Sequence, residues 1–454
     1  MERSRGARQD GGVRRFHVHR AWLVALVTFG ALICAAGFRS STGVLMEPLE
    51  DEFGWSRELT SGAVTLNLIV FGVTAPFAAA LMERFGIRKV VASALCLVAL
   101  GSGLTTLMTA PWQLVALWGL AVGLGTGAMA LVLGAMVANR WFVKHRGLVT
   151  GLFSAASATG QLIFLPLIAY LAVHLGWRWS AALVAGAALL LVPLVLLFLA
   201  DRPSDVGTTP YGADGTEPPD PVRAQGSPGR LALRTLRLSS RSGTFWVLAG
   251  TFFICGWSTN GLIGTHFVPA AHDHGMPVTT AASLLALIGV FDIVGTVASG
   301  WFTDRVDPRW LLVMYYALRG LSLLVVPALL GPSVHPNLFL FIVFYGLDWV
   351  ATVPPTIALC RTHFGLERSS IVFGWVYASH MIGAGIAASF AGSIRERTGS
   401  YEVAWWTAGA LCLAAAVAVL GIPSPGRRRR TPEPPPSTPD ETLGRESAAG
   451  AVAH

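Results

Sequence analysis

Ionisable side chains stand inside long apolar stretches of this 454-residue chain, among them Arg39, Asp292, Arg319, Asp348 and His380. Charge is costly in such surroundings, so each must be paired, protonated or set beside a polar path. Buried carboxylates and imidazole are the usual carriers of protons there, which gives Asp292, Asp348 and His380 a possible coupling role. A lone helix histidine can equally be a hydrogen-bonded packing residue, and His380 is open to either reading. Arg39 and Arg319 suit a different task, holding an anion or neutralising an acid. One Arg319 cannot neutralise both Asp292 and Asp348, so at least one acid needs another partner or a proton. Asn67, Gln161, Asn260 and His266 are further polar residues in apolar segments, and they either face a solute or bridge neighbouring helices. No nucleophile–base grouping, metal-ligand spacing or nucleotide loop accompanies them, so neither an enzyme nor a cofactor or metal is expected.

The elements that hold these residues follow from composition. The chain is 53% hydrophobic and 13% charged, against about 25% charged in an ordinary soluble domain. That deficit fits an outer surface facing lipid. Apolar runs long enough to cross a bilayer as helices, about 20 residues, recur at 21–46, 60–82, 90–108, 112–138, 147–172 and 178–199. A second set follows at 244–270, 279–302, 309–331, 337–361, 369–394 and 402–422. The runs lack the short alternation of a membrane β-barrel, and the first is too long for a cleavable signal. An all-α membrane protein of twelve transmembrane helices is expected.

The formal charge of +8 reads as topology. Of 33 Lys and Arg, 27 fall in the N-terminus, the segments after spans 2, 4, 6, 8 and 10, and the C-terminal tail. Four lie in the opposite loops (Arg57, Arg178, Arg395, Arg397) and two inside spans. This bias places both termini in the cytoplasm of a multi-pass protein in the plasma membrane, and argues against a nucleic-acid partner. The five cysteines (Cys34, Cys96, Cys255, Cys360, Cys412) all fall inside spans, where they serve as small packing residues.

Residues 200–243, rich in Pro, Gly, Asp and Arg, divide the spans six and six. The expected organisation is a basic tail (1–20), a six-helix bundle (21–199), a flexible cytoplasmic linker (200–243), a second bundle (244–422) and a tail of disordered composition (423–454). In the last, Arg427–Arg430 would lie against anionic headgroups. The halves repeat. Glu83 precedes Asp304 by 221 residues, Arg140 precedes Arg361 by 221, and Arg146 precedes Arg368 by 222. A duplication about an axis along the membrane normal is implied.

Each half carries one loop of the same pattern. MERFGIRK contains Glu83, Arg84 and Arg88; GWFTDRVDPR contains Gly300, Asp304, Arg305 and Arg309. An acid ends a helix and Arg follows at once, so the acid can pair with a nearby Arg or sit at a neighbouring helix N-terminus and latch the halves in one state. This resembles the Major Facilitator signature GxxxDRxGRR, although Ala79 and Glu83 replace its Gly and Asp in the first copy. NRWFVKHRGLVTG, with Arg140, Trp141, Phe142, Lys144, Arg146 and Gly151, resembles a signature of monocarboxylate transporters, and EDEFGWSR (Glu50 to Arg57) accompanies it after span 1. The chain is similar, over roughly 21–422, to the bacterial monocarboxylate-porter-like branch of that superfamily.

The resemblance implies two six-helix bundles working by alternating access, with a central site for a small solute. It places Arg39 among pathway-lining cations and spans 7, 8 and 11 around the substrate. Proton-coupled relatives carry an Asp in span 8 and an Arg four residues later; here Asp292 is followed by Thr296, so that anion-binding Arg is missing. Oxalate–formate exchangers of the branch carry a cation in span 11, where this chain has His380. Arg319 falls in a peripheral span, so a buried ion pair with Asp292 or Asp348 is expected. Gly119, Gly123, Gly127 and Gly134 form a small-residue face for close helix packing. The reading that follows is a monomeric carrier of a small organic anion, monocarboxylate-like, with a proton. A carrier of a neutral or drug-like solute is the alternative within transport, although span 5 lacks the Gly-Pro pattern of drug–proton antiporters. A receptor that lost translocation is the alternative outside it.

Overall fold

The computed structural model describes residues 19–215 and 226–424, apart from the side chains of 39–47, 57, 58, 61 and 165. Arg427–Arg430 and residues 1–18 lie outside the described residues. Among the described residues, twelve helices are long and apolar enough to cross a membrane. Spans 1 to 6 are Arg20–Phe38, Gly62–Phe85, Ile87–Thr105, Pro111–Trp141, Arg146–His174 and Trp177–Phe198. Spans 7 to 12 are Gly243–Asp273, Val278–Thr303, Pro308–Leu329, Pro336–Phe364, Leu366–Thr398 and Glu402–Val419. Their outward faces carry Leu and Val, as at Leu190, Leu197, Leu340 and Val417, and lipid rather than water is the solvent that such faces match.

With an even number of spans, the turns after spans 2, 4, 8 and 10 share one side with the segment between spans 6 and 7. That side is called the linker side below. Spans 1 and 5, 3 and 6, 7 and 11, and 9 and 12 pack within their own sets of six, whereas span 5 meets span 8 and span 2 meets span 11 across the seam.

Three spans are irregular. Span 4 contains a π-helical stretch, Val115–Val122, and breaks at 129–130 before resuming as Leu131–Trp141. Span 7 has a π-helical stretch at Trp257–Ile263. Span 10 is two helices, Pro336–Asp348 and Val353–Phe364. The break follows from Pro354 and Pro355, which have no N–H to offer the preceding turn.

The segment between the halves is built, not bare. Tyr211 forms a β-bridge with Phe142, its N–H donating to the Trp141 carbonyl at 2.8 Å and its carbonyl accepting from Val143 at 2.9 Å. The Asp201 carboxylate accepts the Arg88 N–H at 2.8 Å. Farther on, Pro228–Ser239 is a helix packed on spans 2 and 11. Composition alone suggests an unstructured connection because Pro and Gly obscure this short amphipathic stretch.

Candidate functional site

A cavity of about 1680 Å³ lies between the two sets of spans. Its floor and mouth can be read from residue order on the four seam helices. Span 2 lines it with 65–73, span 5 with 157–166, span 8 with 282–292 and span 11 with 377–397. The contacts that close the seam fall on the linker side of each range. Gly147 and Gly151 of span 5 lie against Gly300 and Thr296 of span 8, so closely that a Cβ on Gly147 would strike the Gly300 carbonyl. Gly374 of span 11 lies against Pro76 of span 2, and the rings of Phe77 and Trp375 meet edge-on at 5.7 Å. The cavity is closed toward the linker and reaches the opposite face at Arg397, one residue from the end of span 11.

One loop acid crosses this seam. Asp304 accepts the Gly147 N–H at 2.7 Å and the Leu148 N–H at 3.1 Å. It therefore occupies the N-terminus of span 5, where unsatisfied N–H groups and the helix dipole favour an anion. The first-half copy behaves differently. Glu83 takes a buried ion pair with Arg140 at 2.6 Å, inside its own set of spans. Arg361, the repeat mate of Arg140, has a buried Nε without a hydrogen-bond partner among the described residues. The remaining signature cations stay local. Arg305 caps Trp301 and stacks on its ring at 3.8 Å; Arg309 binds Asp307 at 2.7 Å and the Ile422 carbonyl at 2.9 Å; Arg84 donates to the Gly226 carbonyl.

On the opposite face the acids pair within a half. Glu52 binds Arg178 at 2.7 Å and accepts from the Trp177 indole at 2.6 Å. Asp273, 221 residues later, binds Arg395 at 2.6 Å. The repeat offset thus extends to the far side.

Of the intramembrane groups, Asp292, Asn260 and His380 line the cavity. His380 is stacked on Tyr377, its Nε2 is 3.4 Å from the Asn260 amide, and its Nδ1 has no hydrogen-bond partner among the described residues. Asp292 accepts the Thr296 hydroxyl at 2.7 Å and the Val350 N–H at 2.9 Å. Gln161 and Arg397 also line it, Arg397 at the mouth. Three other candidates do not. Asn67 is buried and donates to the Trp118 carbonyl at 2.8 Å, bridging spans 2 and 4. His266 is 2.8 Å from the Ala388 carbonyl, and Thr296 is committed to Asp292. Arg39 belongs to the first helix, but its side chain is outside the described residues.

Arg319 chooses Asp348, not Asp292. Its Nε donates to the Asp348 carboxylate at 2.6 Å, and its Nη2 donates to the carbonyls of Asp348 and, at 3.1 Å, Trp349. The Ser299 hydroxyl takes the Ala351 carbonyl at 2.6 Å, and Val353 N–H takes that of Val350 at 3.0 Å. The Val353 N–H and the Ser299 side chain of span 8 therefore take the carbonyls that Pro354 and Pro355 leave open, and Arg319 of span 9 takes two more in the turn before them. Such a break is tolerated at membrane depth only with this kind of substitution.

Twelve spans arranged about a seam cavity, with paired loop motifs, are a family-level pattern, and the model of the Major Facilitator Superfamily matches residues 28–291 and 253–451. The chain belongs to the Major Facilitator Superfamily. Among similar members is YcxA of Bacillus subtilis (strain 168), described as an uncharacterized MFS-type transporter, 27% identical over 381 residues and covering 82% of this chain and 88% of its own. Monocarboxylate transporter 13 of Bos taurus is 27% identical over 406 residues, covering 88% and 89% respectively. Among solved structures, a double-Trp mutant of the superfamily member XylE superposes with a TM-score of 0.69 at 14% identity, covering 89% of this chain and 96% of that one. As a superfamily member the chain is a multi-pass membrane transporter. Sequence reasoning passed over Arg397, which it counted only as a loop charge, and Tyr377, whose ring appears in no motif.

Proposed function

We propose that the chain moves a small organic anion, monocarboxylate-like, together with a proton across the plasma membrane. In this reading 21–199 and 244–422 are two bundles that rock about the seam, with both termini and the 200–243 linker in the cytoplasm and the monomer as the working unit. The observation that carries it is Asp292, a buried carboxylate in the cavity wall whose hydrogen-bond partners, Thr296 and the Val350 N–H, are neutral. With Arg319 taken by Asp348, Asp292 is the acid left to take up a proton. Arg397 at the mouth and His380 with Asn260 at mid-depth offer an entering anion its cationic and hydrogen-bonding partners. Arg39 is assigned to substrate contact on its span alone. The names of the monocarboxylate transporters among the relatives point the same way.

The test is uptake of labelled lactate, pyruvate and oxalate into proteoliposomes, with and without an inward proton gradient. Wild type should respond to the gradient; Asp292→Asn should abolish that response, and Arg39→Ala and Arg397→Gln should weaken uptake. No uptake of any acid by well-reconstituted protein would remove the carboxylate reading. The second reading, a neutral or drug-like solute, has its own support in walls formed by Leu68, Ile69, Trp349, Ile386 and Phe390. It would then be tested by the same assay with apolar solutes.

A further inference from the structure

We propose that the linker helix Pro228–Ser239 is a binding site for anionic phospholipid headgroups, and that their binding favours the conformation closed on the linker side. Arg230, Arg234 and Arg237 lie on one face of this helix, and Arg241 continues the stripe in the turn that follows. All four are exposed, and none forms an ion pair or side-chain hydrogen bond among the described residues. The opposite face is buried through Ala232, Thr235 and Ser239. No acidic residue occurs between 226 and 272 to neutralise the stripe locally.

The flanks of the stripe identify the partner. Leu233 and Leu238 are exposed beside the arginines. Trp246, at the start of span 7, is also exposed, and its indole N–H is satisfied by the Ser240 carbonyl at 2.7 Å. Cations on the outer face, leucines at the edges and a tryptophan at the helix entry form the layout of a segment seated at a bilayer surface. An acidic protein in solution would complement the arginines but leave the leucines and the indole wet. Anionic headgroups above acyl chains complement both.

The same helix touches both sides of the seam. The Trp375 indole of span 11 donates to the Ala232 carbonyl at 3.1 Å, and the Trp375 ring meets Phe77 of span 2. Arg84, at the end of span 2, donates to the Gly226 carbonyl just before the helix. The helix is therefore a clasp across the cavity floor, and separating spans 2 and 11 must break one of these contacts. A ligand that holds the helix in place shifts the population toward the state in which the clasp is made.

The experiment is hydrogen–deuterium exchange of the full chain in nanodiscs of pure phosphatidylcholine and of phosphatidylcholine with phosphatidylglycerol. Phosphatidylglycerol should slow exchange several-fold in 228–240 and in the floor segments 146–151 and 369–377. The quadruple variant R230Q/R234Q/R237Q/R241Q should lose the effect, the quadruple Lys variant should keep it, and high salt should erase it. Should the quadruple Gln variant not fold, R230Q/R234Q and R237Q/R241Q should each show a partial loss. An identical exchange pattern in both nanodiscs, or an undiminished lipid effect in the Gln variants, overturns the proposal. So does protection of 228–240 by soluble polyglutamate in pure phosphatidylcholine that phosphatidylglycerol cannot reproduce, which would assign the stripe to an acidic protein.

Discussion

Spans 4 and 10 break at matching places, since Met129 plus the repeat offset of 221 falls on 350, inside the break at 349–352. They mend the break in opposite ways. In span 4 the backbone turns on itself, Met129 N–H bonding the Thr126 carbonyl at 3.0 Å and Ala130 N–H that of Gly127 at 3.3 Å. No charge takes part. In span 10 two prolines remove donors; Arg319 and Ser299 enter from neighbouring spans as donors to carbonyls of the break, and Asp292 enters as an acceptor for the Val350 N–H. A duplicated fold can therefore conserve an interruption while changing what holds it. The change matters because one of these partners, Asp292, also faces the cavity. In the second half one residue, Asp292, serves both the cavity wall and the helix break; in the first no such residue does among the described ones.

The largest expected effect tests that dependence. Arg319→Met would strand the buried Asp348 carboxylate and two carbonyls, and stability should fall by about 3–5 kcal/mol, read as a lower melting temperature in detergent. The double variant R319M/D348L should recover part of the loss, because the lone charge is gone while the carbonyls stay open. Wild-type melting of R319M would mean that span 10 needs no more help than span 4.

Next is the seam on the linker side. Gly151→Val would drive methyl groups into the Thr296 carbonyl and Gly300. Overpacking of this kind costs about 1–3 kcal/mol, roughly a five- to 150-fold shift away from the closed floor. Exchange in 146–151 should accelerate accordingly. The equivalent change at an open site such as Gly186, which a Cβ would not crowd, should leave that segment alone.

A smaller effect separates the two loop acids. Asp304→Asn keeps an acceptor but loses the charge at the span 5 N-terminus, about 1 kcal/mol, and should loosen the floor about fivefold by the same exchange readout. Glu83→Gln leaves the floor unchanged and lowers overall stability instead, since it strands Arg140 inside its own half. Equal floor effects from both would erase the difference between the copies.

The smallest concerns the far side. Hydrogen bonds from Arg178 and Trp177 hold the Glu52 carboxyl below its ordinary value of 4.5. A depressed value in the folded state adds stability that is complete above the ordinary one and is lost as pH falls through the depressed one. The melting difference between wild type and Glu52→Gln should therefore be present at neutral pH and close as pH falls through the depressed value. The pair is exposed, so the difference should be slight and salt-sensitive.

The spans were legible because twenty-residue apolar runs survive any amount of side-chain drift. Asp292, Asn260 and His380 were legible as cavity residues because charge or polarity in an apolar span has few other uses. Asn67 and His266 were not, since a carbonyl on a neighbouring helix satisfies an amide or an imidazole as well as a solute would, and sequence does not reveal which carbonyls are near. The choice of Arg319 between two acids was equally hidden. It depended on a helix break that VPPT suggests but does not locate. The linker helix escaped notice because three arginines among four leucines read as loop charge until their angular spacing is drawn.

Tyr211 is an anchor point: with its backbone bridged to Phe142 and its ring beside Trp22 at 5.5 Å, it holds the start of the linker to spans 1 and 4. Trp22, Phe142 and Tyr211 thus form one aromatic knot that joins the linker-side ends of spans 1 and 4.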